Sequence, residues 1–183
     1  MELGICNALK YDVRVVTPTH FLERFIKAGC VSECSASADG EHNTVEFCFH
    51  GVHRYDKFLL MSQYLLDLAL LESKLMREPS SKVAAAAIYL AKVTLGISMG
   101  CGACSRSNSG RGSNCWNATL QYYTGYSLSE LKDIIKVLHK RQREAAEPSW
   151  SNAARKLFNK FKVDRYLRVA LNTTLAEEDL GLD

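Results

Sequence analysis

The stretch from Ser80 to Gly96 constrains the fold most, because it carries no charge between Val83 and Ala91 and contains four consecutive alanines. Alanine is the strongest helix former, so these residues favour a helix. Ser80 or Ser81 is suited to cap its start, and Gly96 to end it in the left-handed conformation. About fifteen helical residues span roughly 22 Å, which is too short to cross a bilayer. A helix that is apolar on every side belongs inside a globule, so we predict a central helix with the others packed around it.

The composition is that of an ordinary globular protein. The chain has 183 residues, 47% of them hydrophobic and 23% charged, which predicts one domain with ragged ends. The N-terminus lacks the basic and apolar regions of a signal peptide, and no apolar run is long enough for a membrane span. Seven cysteines is an odd number. We therefore expect a reduced, intracellular protein.

Helical periodicity recurs along the chain, and no stretch has a convincing strand pattern. Pro79 should end the long helix that precedes the central one. Ser127 is followed three residues later by Glu130, which is the spacing of a capping box at a helix start. Leu70 is expected in the buried stripe of the long helix. The tail Glu177–Asp179 is expected to be loose. The predicted helices are Met1–Leu9, Thr17–Gly29, His53–Arg77, Ser80–Gly96, Asn117–Tyr123, one from Ser127 to Pro148, one begun by Ser151 through Phe161, and a last turn or two from Asp164 to Leu171.

Two segments, 30–52 and 97–115, have no period and read as long loops. The second contains Cys101, Cys104 and Cys115, which resemble half of a zinc site. A fourth ligand would have to come from elsewhere, and the surrounding glycines and serines equally predict an ordinary flexible insertion. The pair Cys30 and Cys34 is a weaker metal signal.

The remaining motifs give no support to catalysis. His20, His42, His50, His53 and His139 do not lie at metal spacing with a carboxylate on a helix, and His20 is expected to be a packed or surface residue. There is no phosphate-binding Gly-rich loop, no Gly-x-Ser-x-Gly and no His-Glu-x-x-His. We therefore predict a protein that is not an enzyme, with no catalytic, cofactor-binding or metal-binding residues and no cofactor.

Charge is spread unevenly. The net charge is +3, but Lys132–Arg168 holds eleven Lys/Arg and four Asp/Glu. Solvated helix faces are one interpretation. A surface for nucleic acid or for an acidic partner is the other.

Five segments, in order, resemble the second cyclin box of the A- and B-type mitotic cyclins. Thr17–Phe25 is similar to its opening, Tyr64–Glu72 to its second helix and Pro79–Ala87 to its alanine-rich third helix. Trp116 followed by Leu120–Tyr126 is similar to the mitotic members, and Lys156–Val169 to their closing segment. Met1–Leu9 then resembles the last helix of the first box, so we expect the chain to be cut from a longer one.

This resemblance implies an all-α, five-helix cyclin-box fold around the central alanine-rich helix, with two long loops. It implies three parts: residues 1–16 as the tail of the preceding box and linker, 17–172 as the C-terminal box, and 173–183 as an acidic tail. It also implies a regulatory subunit of a cyclin-dependent Ser/Thr kinase in cell-cycle control, located in the nucleus, the cytoplasm or both.

Partners follow from the same resemblance. Cyclins contact the kinase mainly through the first box, so this chain is expected to be a supporting lobe that does not activate the kinase alone. Some mitotic cyclins hold phosphorylated partners in a basic pocket on the first two helices of this box. At the aligned positions Arg24 is basic, but Leu59 and Gln63 are not. The alternative is a cyclin-like module that binds nucleic acid through its basic face at 132–168, and membranes are not expected partners.

Overall fold

The computed structural model describes residues 2–12, 15–34, 52–96, 116, 118–147, 152–172 and 180, without the side chains of 29–34 and 52–54. These residues form α-helices and short 3-10 turns with no strand, so the predicted all-α class is confirmed. The 3-10 turns are Leu75–Arg77, Asp164–Tyr166 and Val169–Leu171. The helices are α1 (Glu2–Ala8), α2 (Pro18–Cys34), α3 (Val52–Ala69), α4 (Ser80–Leu95), α5 (Ala118–Thr124), α6 (Leu128–Ala146) and α7 (Asn152–Phe161).

Helix α4 is the predicted central helix. It contacts α2, α3, α5 and α6, and its residues from Val83 to Val93 are all buried. The four alanines Ala84–Ala87 have no exposed surface. Gly96 ends the helix as predicted, with φ 60° and its N–H directed at the carbonyls of Lys92 and Val93. Small side chains on every face let the neighbouring helices approach closely, which is why α4 can occupy the centre.

The start of α4 differs from the prediction, because the N-cap is Pro79 and not a serine. The Pro79 carbonyl accepts the N–H groups of Lys82 and Val83. Ser80 Oγ instead donates to the Val16 carbonyl, and Ser81 Oγ bonds Tyr126 Oη. Both hydroxyls are therefore used in tertiary contacts with segments 45 or more residues away in sequence.

The other long helices bury the stripes that their periodicity predicts, and each stripe packs around α4 or against its neighbours. Helix α2 buries one apolar face with Phe21 half-buried, and Leu157 and Phe158 of α7 are likewise half-buried against the core. The fully buried members are Leu22, Phe25 and Ile26 of α2; Phe58, Met61, Leu65, Leu68 and Ala69 of α3; Leu131, Ile134, Ile135 and Leu138 of α6; and Ala154 and Phe161 of α7.

Two predicted helix ends are wrong. Helix α2 continues through Gly29 to Cys34. A glycine inside a helix costs about 1 kcal/mol relative to alanine, which does not by itself end the helix. Helix α3 ends at Ala69 and not at Arg77, and Leu70 is 64% exposed where the prediction had it buried. Between these points the chain turns and then buries Leu75 in a 3-10 turn.

Local signals set the boundary between α5 and α6. Gly125 follows α5 with φ 75°, a conformation that glycine adopts at little cost, and its N–H donates to the Gln121 carbonyl. The capping box of α6 forms as predicted: the Ser127 N–H donates to Glu130 Oε2 over 2.7 Å. These contacts fix the turn that carries the chain from α5 into α6.

The tail is held at one described point. Leu180 is 1% exposed, and Tyr89 Oη donates to its carbonyl over 2.7 Å. Tyr89 lies in the buried centre of α4, so the chain returns to the core after α7. The acidic residues 177–179, which are expected to be loose, lie outside the described residues, so that expectation stays a prediction.

Candidate functional site

The segment that precedes α2 exposes apolar side chains. We call the described residues 2–12 and 15–16 the N-terminal arm. Helix α1 in this arm buries none of its residues. Exposed apolar surface of this extent in a globular protein is typical of an interaction site. The large apolar side chains concerned, each at least half exposed, are Leu3, Ile5, Leu9, Tyr11, Val15 and Val16.

The arm joins the helical body at the N-terminal end of α4. The bond from Ser80 Oγ to the Val16 carbonyl, 3.2 Å long, holds the last residue of the arm there. Trp116 Nε1 donates to the Tyr126 carbonyl over 3.1 Å, and the Trp116 ring meets the Tyr89 ring edge-on at 6.4 Å. The Trp116 contacts lie within the helical body, whereas the arm is held at its base by the exposed Ser80–Val16 bond, and its apolar side chains remain exposed.

The start of α2 lies directly after the arm and has its own cap. His20 Nδ1 accepts the Thr17 N–H over 3.2 Å and lies 2.8 Å from Thr17 Oγ1. The bond from the Thr17 N–H is one half of a capping box, with an imidazole in place of the usual glutamate or glutamine. His20 is therefore a surface residue with a local structural role, which agrees with the expectation.

An ionic cluster ties α6 to the turn after α3. Arg141 Nε donates to Glu72 Oε2 over 2.7 Å, a second guanidinium nitrogen contacts the same oxygen, and another donates to Glu144 Oε2 over 2.7 Å. The hydrogen bond from Arg141 lowers the pKa of Glu72. A carboxylate held ionised in this way is a poor proton donor at neutral pH, so the cluster fixes structure. Sequence reasoning missed it, because the two residues lie 69 positions apart.

Some of the basic residues between 132 and 168 form ion pairs with carboxylates of the same chain. Lys160 Nζ lies 3.1 Å from Asp67 Oδ2 and 4.7 Å from the centre of the Phe161 ring. Arg168 pairs with Asp164, and this hydrogen bond lowers the pKa of Asp164. The basic region is therefore not one uniform surface, because part of its positive charge is paired with carboxylates.

The two candidate cysteine clusters fall largely outside the part of the chain that the structure describes. Cys101, Cys104 and Cys115 lie outside the described residues, and Cys30 and Cys34 lie in α2 without described side chains. Within the described part of the chain, no group of three or more His, Cys, Asp and Glu side chains could hold a metal ion.

The histidines other than His20 do not form a site within the described part of the chain. His139 is buried in α6, at 1% exposure. His53 lies in α3 without a described side chain, and His42 and His50 fall outside the described residues. The structure does not bring His20 and His139 together at one site.

The positions aligned with the family's basic pocket lie on α2 and α3, which contact each other. Arg24 is exposed, and no ion pair joins it to another described residue. Leu59 and Gln63, one turn apart on α3, are half-buried, and Leu59 packs against the core. Arg24 is thus the one cation among these three positions.

None of the described helices combines the length and the apolar character that crossing a membrane requires.

Comparison with known proteins gives one consistent result. The model of the family described as "Cyclin, C-terminal domain" matches residues 16–175. The chain is 33% identical to Cyclin-A1-2 of Oryza sativa subsp. japonica over 140 residues, which cover 76% of this chain and 23% of that protein. It is 27% identical to G2/mitotic-specific cyclin-B of Drosophila melanogaster over 175 residues, or 96% of this chain and 27% of that protein. It is also 27% identical to G2/mitotic-specific cyclin-B2 of Rana japonica over 175 residues, which cover 96% of this chain and 34% of that protein.

Proposed function

Because the chain belongs to the cyclin family, through the C-terminal domain that covers residues 16–175, we propose that it is the second cyclin box of a regulatory subunit of a cyclin-dependent Ser/Thr kinase. The observation that carries the proposal is this match to the family model, which extends over helices α2–α7 and their buried centre. Similarity to both A- and B-type cyclins supports a mitotic role in cell-cycle control. The chain spans 23% to 34% of the length of these relatives, so the activity of a whole protein enters here only as a proposal.

In this proposal the chain acts without catalysis of its own, as a supporting lobe in the nucleus, the cytoplasm or both. Residues 17–172 form the box, and residues 1–16 connect it to the preceding box. The exposed apolar side chains of the N-terminal arm support this division, because they offer the surface that a neighbouring helical domain would cover. The alternative of a nucleic-acid-binding module gains no support from the comparisons, which match cyclins.

The test compares two proteins in a pull-down and a kinase assay with a cyclin-dependent kinase. One is the 183-residue chain, and the other is the same chain joined to the first cyclin box of a mitotic cyclin. Association has to offset a cost of about 4–15 kcal/mol, and a stable interface usually buries at least about 1,000 Å². We expect the chain alone to bind more weakly than micromolar without activating the kinase, and the joined protein to bind and activate.

A pair of matched variants tests the role of the N-terminal arm in the joined protein. Ile5→Asp with Val16→Asp should weaken activation, because both side chains are at least half exposed and would place charge in the proposed contact between boxes. Leu70→Asp with Met76→Asp changes two apolar residues elsewhere that are at least as exposed, and should have little effect. Submicromolar kinase binding by the 183-residue chain alone, or failure of the joined protein to bind, contradicts the proposal.

A further inference from the structure

The outward face of α6 carries a row of cations. Lys132, Lys136, Lys140 and Arg143 are separated by four, four and three residues, and we call them the α6 basic stripe. At 1.5 Å per residue these steps are about 6, 6 and 4.5 Å, which gives a row about 16 Å long within one quarter of the helix circumference. The middle of the stripe lies roughly 130° around the helix from the face that buries Leu131, Ile135 and Leu138. Lys136, Lys140 and Arg143 are exposed, and Lys132 is half-buried.

The charges of the stripe are largely uncompensated. Lys140 Nζ lies 3.9 Å from Glu144 Oε1, at the limit of an ion pair. Glu144 is itself engaged by Arg141 at 2.7 Å. No ion pair joins Lys132, Lys136 or Arg143 to any residue of the described part of the chain. Like charges at three- and four-residue spacing destabilise a helix, so the stripe opposes the stability of α6 unless an opposite charge lies against it.

The spacing makes the stripe act as a unit. Successive charges rise by about 6 Å or less along the helix, which is shorter than the screening length of about 8 Å at physiological ionic strength. Their potentials therefore overlap, and the result is a narrow positive line along one helix. A partner that presents a matching line of negative charge meets several cations at once.

The borders of the stripe distinguish between classes of partner. Asp133 and Glu144 flank it on α6 and Glu147 follows at the end of the helix, and these carboxylates would repel a phosphate backbone that extends beyond the stripe. The helix contains no Phe, Tyr or Trp on which bases could stack. A helix with a carboxylate at every fourth residue repeats at about 6 Å and matches the row, while its own lysines or arginines could face the flanking carboxylates.

We propose that the α6 basic stripe is a docking surface for an acidic helical segment of a partner protein. The inference rests on α6 alone and does not depend on the kinase role. Each contact between the stripe and the acidic helix is an exposed ion pair, so the affinity for the partner is modest and falls as the salt concentration rises. Specificity comes from the match between the spacing of the cations and that of the carboxylates.

The test measures binding of the full 183-residue chain to a synthetic helical peptide with glutamates at every fourth residue. A scrambled peptide of the same composition and a single-stranded oligonucleotide of the same charge are measured beside it at two salt concentrations. Lys136→Glu with Arg143→Glu reverses two of the four charges of the stripe. Arg155→Glu with Lys162→Glu is the matched control, since both pairs are exposed, seven residues apart and outside any ion pair with described residues. Both double variants carry the same change in net charge.

We expect the stripe variant to lose about tenfold in affinity for the patterned peptide and the control variant less than twofold, because only the stripe variant reverses contacting charges. A peptide with lysines at the same spacing should bind the stripe variant better than the parent. Equal losses in the two variants, or equal binding of the scrambled peptide, would show attraction by net charge alone and overturn the proposal. Tighter, stripe-dependent binding of the oligonucleotide would also overturn it, in favour of a phosphate-binding surface.

Discussion

Enlarging a side chain in α4 should destabilise the whole protein. Ala86 and Ala87 have no exposed surface, and α4 contacts α2, α3, α5 and α6. Replacement of either alanine by leucine adds three carbon atoms at a position that the surrounding helices already bury completely. Successive residues differ by about 100° around a helix, so the two substitutions test two different faces of α4.

The magnitude follows from the cost of overpacking. Extra carbon atoms in a well-packed core cost about 1–3 kcal/mol, and leucine is nearly as good a helix former as alanine, so propensity contributes little. In a domain of this size each kcal/mol lowers the melting temperature by about 2–4 °C. We expect Ala86→Leu and Ala87→Leu each to lower it by roughly 2–12 °C.

Thermal denaturation followed by circular dichroism measures this effect. Ala153→Leu in α7 is the matched control, because Ala153 is exposed while the adjacent Ala154 is fully buried. The control should melt close to the parent, and Ala154→Leu should melt lower. If both α4 variants melt like the parent, α4 is not enclosed on all sides and the architecture described above is wrong.

Three further predictions concern single contacts. Glu72→Gln should be less stable than the parent by about 1–3 kcal/mol at pH 7, since it loses a charged hydrogen bond. The pKa of Glu72 is lowered in the folded state. The difference in unfolding free energy between the parent and the variant is therefore complete above the ordinary glutamate pKa of about 4.3 and shrinks as the pH falls through the lowered value. Urea melts at pH 7 and pH 3 measure this difference. Tyr89→Phe should cost about 1 kcal/mol and speed proteolysis near Leu180, whereas Tyr122→Phe, 83% exposed, should change neither. Ser127→Ala should cost about 1 kcal/mol of stability in thermal melts through loss of the capping box.

Each of these has a result that contradicts it. A pH-independent difference between Glu72→Gln and the parent would mean that ionisation of Glu72 does not stabilise the fold. Equal proteolysis of Tyr89→Phe and Tyr122→Phe would mean that the Tyr89 hydroxyl does not hold the tail. A Ser127→Ala variant as stable as the parent would mean that another group caps α6.

Features that depend on neighbouring residues could be predicted from the sequence. The uncharged, alanine-rich run predicts α4 and its burial, because a helix with no polar face has no stable place at a surface. Gly96 and Ser127 mark helix boundaries correctly, since a left-handed glycine and a capping serine act on backbone groups within four residues. The ordered cyclin-like motifs predict the family that the match over 16–175 shows.

Features that depend on distant residues were decided by the tertiary structure. Gly29 does not end α2, and α3 ends well before Pro79. A helix end also depends on which residues the rest of the fold can bury, and here the fold buries Leu75 in a turn after α3. The bond from Tyr89 to the Leu180 carbonyl spans 91 residues, and the pair of Glu72 and Arg141 spans 69. No local pattern encodes such contacts, because their free energy appears only when packing brings both partners together and removes them from water.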